Sequence, residues 1–227
     1  SNYDLIIGIG SDITEAMDKV SSKYKEVHFG IIDSQVNQPN VVSINFNEQE
    51  GSFLAGVIAA KKTKTKKIGF IGGDNNEVIN RYKYGFIAGV KSINKEIEVL
   101  TKYSNTFNNP KTGSKIAKDF YNRNVDIIFP VAGISGSGVF NAAKIVGKTS
   151  QNKVWVIGVD RDQYKQGLPD NVTLFSLVKK MDIAVYDVAK QSKSNEFKGG
   201  KTLIYGINED GMKLIKAFVR NDYENKR

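Results

Sequence analysis

Short apolar runs and amphipathic stretches alternate along almost the whole chain, and this alternation limits the fold more than any other feature. A run such as Val154-Trp155-Val156-Ile157 has no polar face, the pattern of a parallel strand covered on both sides of a sheet. The pattern predicts strands over 4–8, 27–32, 41–46, 67–71, 97–103, 126–131, 154–159 and 172–178. Between most of them lie stretches of helical spacing, over 14–25, 48–61, 77–93, 110–122, 138–148 and 182–194. Such a βαβα succession implies an α/β protein with parallel sheets and right-handed crossovers. At 227 residues the chain is long enough for one large domain or two smaller lobes, each with its own core.

The strand ends carry the polar chemistry. "VWVIGVDRDQ", residues 154–163, runs from an apolar strand straight into Asp160, Arg161 and Asp162. In open α/β sheets the edge outside the carboxyl ends of the strands is where ligands bind, although a single carboxylate there also suits a solvated loop. Three further strands end in small or polar residues: Gly8-Ile9-Gly10-Ser11-Asp12, Gly72-Gly73-Asp74-Asn75 and Ala132-Gly133-Ile134-Ser135-Gly136-Ser137-Gly138. None has the dinucleotide or P-loop glycine spacing. Glycines 133, 136 and 138 leave backbone N–H groups open at a helix start, which suits a hydroxyl, a carbonyl or an anion. For Gly136 and Gly138 a tight strand-to-helix turn is the preferred reading.

Composition removes several classes of chemistry. With no cysteine and one histidine, the chain has no thiol nucleophile, no disulfide and no Cys/His zinc site, and little for a Ser-His-Asp triad. His28, just before a strand, reads as structural. The net charge of +9 comes from lysines spread along the chain, densest over Lys61-Lys62-Thr63-Lys64-Thr65-Lys66-Lys67. That run has no interleaved aromatic residues, so it reads as a solvated loop and nucleic acid is not an expected partner. No stretch approaches the ~20 consecutive apolar residues of a membrane span.

"EQEGSFLAGVIAAKKTKTKKIGFIGG" at 48–73 is similar to the signature stretch of the basic membrane protein (BMP/PnrA-like) family. "YGFIAGVKSIN" at 84–94, "IIFPVAGISGSGVFNAAK" at 127–144, "VWVIGVDRDQ" and "SLVKKMDIAVYDVAK" at 176–190 continue the likeness in the family's order. The family comprises substrate-binding lipoproteins of ABC transporters, and characterised members bind purine nucleosides. The resemblance implies a type I periplasmic-binding-protein fold, two parallel-sheet α/β lobes with the ligand in the cleft between them. It further implies lobe 1 from residues 1–46 and 178–200, and lobe 2 from 47–177 together with a crossing segment over 201–227. Closure is expected about crossing strands near 45–47 and 178–180.

The same resemblance implies the ligand-binding residues. Asp160 matches the aspartate that holds the ribose hydroxyls, a role that suits an acceptor-only carboxylate facing a vicinal diol. Lys179 matches a lysine that also reaches the ribose, with its neighbour Lys180 as the alternative. Gly133 matches a backbone contact, and Phe107, in the polar stretch "SNTFNNPKTG", matches an aromatic that stacks on the purine. Asp33, ending "HFGIID", matches a cleft position on the other lobe, with Asp12 as the competing residue. No catalytic residue, metal or cofactor is implied.

The family's chains open with a strand and helix bearing an Asp-rich, Phe-containing motif, and with a lipid-bearing cysteine. Nothing like either precedes Tyr3, so the expectation is a longer protein whose lobe 1 is incomplete here and whose anchor lies on the preceding segment. The expected function is extracytoplasmic, membrane-anchored capture of adenosine, guanosine or inosine for an ABC permease. The lysine-rich surface is a candidate for contact with a host or surface protein. The alternatives are a sugar-binding or regulator effector-binding relative of the same fold, and a nucleoside hydrolase, although no D-x-D-x-x-x-D-D-like carboxylate cluster is present.

Overall fold

Polar residues at the strand ends and apolar residues within the strands sort this chain into two α/β units. The computed structural model describes residues 3–149 and 153–216. One unit comprises Ser1–Asn47 and Lys180–Met212, the other Glu48–Lys179 and Lys213–Arg227.

In the first unit, β1 (Leu5–Ile9), β2 (His28–Ile32), β3 (Val41–Phe46) and β9 (Thr202–Tyr205) form a parallel sheet in that order. Helix α1 (Thr14–Lys23) joins β1 to β2, and Met17 on it packs with Val27, Phe29, Ile31, Val36 and Val41. Helix α6 (Met181–Lys193) precedes β9. The four-residue strand β9 has only Leu203-Ile204-Tyr205 as an apolar run, too short to announce it, and the resemblance groups 201–227 with the second lobe as a crossing segment. Its register, from Ser43 opposite Thr202 to Phe46 opposite Tyr205, instead extends the first sheet. Residues 217–227 of that segment lie outside the described residues. His28 stacks on Phe197 with ring centroids 4.0 Å apart, and its Nδ1 lies 2.8 Å from Ser192 Oγ, so it ties strand to helix.

The second unit has a six-stranded sheet. Its order is β10 (Met212–Lys216), β8 (Thr173–Lys179), β7 (Trp155–Asp160), β6 (Ile127–Val131), β4 (Lys67–Gly72) and β5 (Glu98–Tyr103). The pairs from β8 through β5 are parallel. Helices α2 (Glu48–Lys62) and α3 (Glu77–Ile93) cover one face, where Phe129 meets Phe70, Tyr82 and Phe86 at centroid distances of 5.9, 6.2 and 5.1 Å. Helices α4 (Pro110–Asn122) and α5 (Ser135–Val146) cover the other, with Ile116, Phe120, Val139 and Phe140 packed on Ile71, Ile128 and Val156. Covering both faces explains why the central strands β4, β6 and β7 are almost continuously apolar.

Two local features differ from simple periodicity. The spacing predicts a helix from 138, but α5 begins at Ser135. Gly136 and Gly138 therefore lie inside it, and Gly138 approaches the Pro110 backbone so closely that a β-carbon would overlap it. The lysine run after α2 is not merely solvated. The buried Asp126 carboxylate accepts bonds from Thr63 Oγ1 at 2.7 Å, Lys64 N at 2.6 Å and Thr65 N at 3.2 Å, fixing the turn into β4.

Candidate functional site

In the second unit, parallel strands deliver β4, β6, β7 and β8 to one sheet edge with their carboxyl ends together, the edge at which α/β sheets bind ligands. Asp160 is the last residue of β7. Its φ of 65° lies in the left-handed region, which Asp tolerates better than most residues, and Arg161 N–H folds back onto Val159 O at 2.7 Å. The turn is held from behind. Buried Gln163 accepts from Val159 N at 2.8 Å through its side chain, and its own N–H donates to Ser176 Oγ at 3.0 Å. Tyr82 on α3 directs its hydroxyl to Asp160 Oδ1 at 3.4 Å.

Lys179 is the last residue of β8. A register shift after Val156 makes Thr173 pair with Val156 but Phe175 with Ile157, so that Asp160 lies opposite Val178. Asp160 and Lys179 thus end neighbouring strands. The Lys179 side chain is buried, and its ammonium donates to Glu48 Oε1 at 2.9 Å. Glu48, wholly buried at the first turn of α2, also accepts from Arg81 Nε at 2.6 Å, and Arg81 Nη1 reaches Glu77 at 2.8 Å. The alternative lysine, Lys180, belongs to the first unit and pairs with Asp210 there at 3.0 Å.

Phe107 sits in the loop from β5 to α4, half-buried, with its ring against Gly73 after β4 and its Cβ near Gly133 after β6. Gly133 has φ 55°, a conformation that favours glycine. Ser135 binds the two loops together: its N–H donates to Phe107 O at 3.0 Å, its Oγ to Thr106 O at 2.9 Å, and it accepts from Asn109 N at 2.9 Å. Phe107 and Gly133 therefore meet, and both share the sheet edge with Asp160 and Lys179. Asp33 lies in the first unit, just after β2, with φ 64° and its N–H bonded to Ile44 O at 2.9 Å. Its competitor Asp12 lines a separate open pocket of about 470 Å³ with Thr14, Asp18 and Asn37.

Sequence reasoning does not find Glu48, Tyr82 or Ser135. An acid at the start of a helix reads as a complement to the helix dipole, and nothing local says that its partner stands 131 residues away. The arrangement at the second unit's edge combines a flat aromatic face, an acceptor-only carboxylate and a buried ammonium. This donor and acceptor set suits a neutral ligand that has both a planar ring and hydroxyl groups. Among the described residues no group of three or more His, Cys, Asp or Glu is placed to hold a metal, and no helix is long and apolar enough to cross a membrane.

Two mixed α/β units with parallel sheets, polar residues clustering at the strand ends, define a type I periplasmic-binding-like protein. A solute-binding protein of an ABC transporter system from Aeropyrum pernix K1 superposes with a TM-score of 0.85 at 29% identity, over 98% of this chain and 63% of that one. A transcriptional activator of the comK gene from Bacillus halodurans has the same fold, with a TM-score of 0.82 at 23% identity over 99% and 76% of the two chains. The chain belongs to the Bmp family of PnrA-like ABC transporter substrate-binding proteins, whose pattern matches residues 1–227. It is 43% identical over 223 residues to a CD4+ T-cell-stimulating antigen of Listeria monocytogenes serovar 1/2a, covering 94% of this chain and 62% of the relative. It is 38% identical over 222 residues to the ABC transporter nucleoside-binding protein BmpA of Lactococcus lactis subsp. cremoris, covering 93% and 63%. The chain thus spans a little under two thirds of the length of these relatives. The family is one of binding proteins, which is not an enzyme class.

Proposed function

We propose that the protein captures purine nucleosides outside the cytoplasm and delivers them to an ABC permease. The observation that carries this reading is the shared sheet edge on which Phe107, Gly133, Asp160 and Lys179 stand. Phe107 supplies a stacking face for the base, worth about 1–3 kcal/mol for one aromatic partner. Asp160 accepts two hydroxyl protons of the ribose, and Lys179 donates to a ribose oxygen. Gly133, exposed after the end of β6, offers its backbone to the ligand. The relative named for nucleoside binding, at 38% identity, supports the same ligand class.

Calorimetric titration with adenosine, guanosine and inosine, beside the free bases and free ribose, tests the reading. Nucleosides are expected to bind at least tenfold more tightly than either fragment, because stacking and ribose contacts add only when both halves are joined. Equal affinity for ribose and nucleoside would favour a sugar-binding relative, and release of free base from bound nucleoside would favour a hydrolase.

A further inference from the structure

We propose that Glu48 is a positioning residue for the ligand, holding the Lys179 ammonium in place for the ribose. This inference rests on the reading that Lys179 meets the ribose. A carboxylate with no solvent-exposed side-chain surface is costly unless it is paired, and Glu48 is paired twice: Oε1 with Lys179 Nζ and Oε2 with Arg81 Nε. The two oxygens are thereby divided between two cations, and each cation is fixed by the other's claim on the same carboxylate.

Lys179 has four rotatable carbons and an otherwise compact, mobile charge. Its side chain is only 2% exposed, so it has little room to search for a ligand. With the Glu48 bond at 2.9 Å the ammonium is held at the end of β8 beside the end of β7. An ammonium carries three donor protons, and the Glu48 bond uses one of them. Arg81 keeps Glu48 itself from turning, and the next residue along α3, Tyr82, meets Asp160. One turn of α3 therefore braces both the acid and the base of the ribose site, the first directly and the second through Glu48. Preorganisation of this kind raises affinity by removing the ordering cost at binding.

The test is a double-mutant cycle on the intact protein with Glu48→Gln and Lys179→Ala, titrated calorimetrically with inosine and with free hypoxanthine. Glu48→Gln keeps the shape but removes the charge. It is expected to weaken inosine at least tenfold, to leave hypoxanthine within twofold, and to have no more than a twofold further effect in the Lys179→Ala background. Glu48→Asp is expected to weaken inosine by a smaller factor in the same pattern, and it serves in place of the glutamine variant if that variant does not fold. Unchanged inosine affinity in a folded Glu48 variant, or an equal loss with and without Lys179, overturns the positioning role while leaving the ribose contact intact. Unchanged affinity in Lys179→Ala overturns the ribose contact, and with it this inference.

Discussion

The ring of Phe107 lies against Gly73 so closely that a β-carbon on Gly73 would overlap its edge. Gly73 is itself fixed, its N–H bonded to Val131 O at 2.8 Å and its carbonyl accepting from Thr106 N at 2.9 Å. The ring, not the backbone, must give way. Gly73→Ala is therefore expected to displace Phe107 and to weaken nucleosides and free bases by similar factors, with little change in melting temperature. Calorimetry beside a thermal melt checks this; an affinity unchanged in the alanine variant would show that the ring position does not matter to the ligand.

Removing the ring itself is the more direct substitution. Phe107→Ala should cost about 1–3 kcal/mol of binding for nucleosides and bases alike, the usual worth of one stacked aromatic. Loss of stability with full retention of affinity would assign the ring to packing against Gly73 and Gly133.

At Asp160 the backbone and the side chain are separable. Asp160→Asn keeps a residue that tolerates the left-handed turn but removes the charge, and it is expected to lose at least about 2 kcal/mol of nucleoside binding. Asp160→Gly should lose binding as fully, yet melt no lower than the parent apart from the loss of the carboxylate's own contacts, that of Tyr82 among them, since φ 65° suits glycine. Titration and melting of both variants check this. Retained affinity in either would remove Asp160 from the ribose.

The β/α alternation is readable because the central strands of the second sheet, β4, β6 and β7, are buried on both faces and each helix on one. Asp160 is readable too, as a carboxylate that ends an apolar strand, whereas Lys179 enters only through the family resemblance; sheet polarity brings both to one edge. Short strands are not readable: β9 has four residues and gains its place only by pairing with β3, a contact far away in sequence. The start of α5 is misread because glycine disfavours helix, whereas Gly138 is there to let α4 and α5 approach. Glu48 is invisible for a similar reason, its burial being decided by Lys179 and Arg81.

The first unit carries a pH marker of its own. Tyr205 on β9 donates to Asp187 Oδ2 on α6 at 3.1 Å; burial, then the Asp187 charge, pushes its phenol from the ordinary 10.0 up to about 12. The neutral phenol is the favoured form in the folded state, so its stabilising effect is complete below pH 10 and is lost as pH rises from about 10 to about 12. Melting curves from pH 9 to 12 should show a steeper decline for the parent than for Tyr205→Phe. Parallel curves would show that the phenol does not titrate in this way.

The central claim, a nucleoside held at the edge shared by Phe107 and Asp160, is tested most directly by the small molecule that the protein carries. The protein is purified without added ligand and denatured, and the released solute is identified by mass spectrometry, for the parent and for Asp160→Asn side by side. The account predicts a purine nucleoside released from the parent and strongly reduced in the variant. A free sugar from the parent, or a nucleoside retained undiminished in Asp160→Asn, would contradict it.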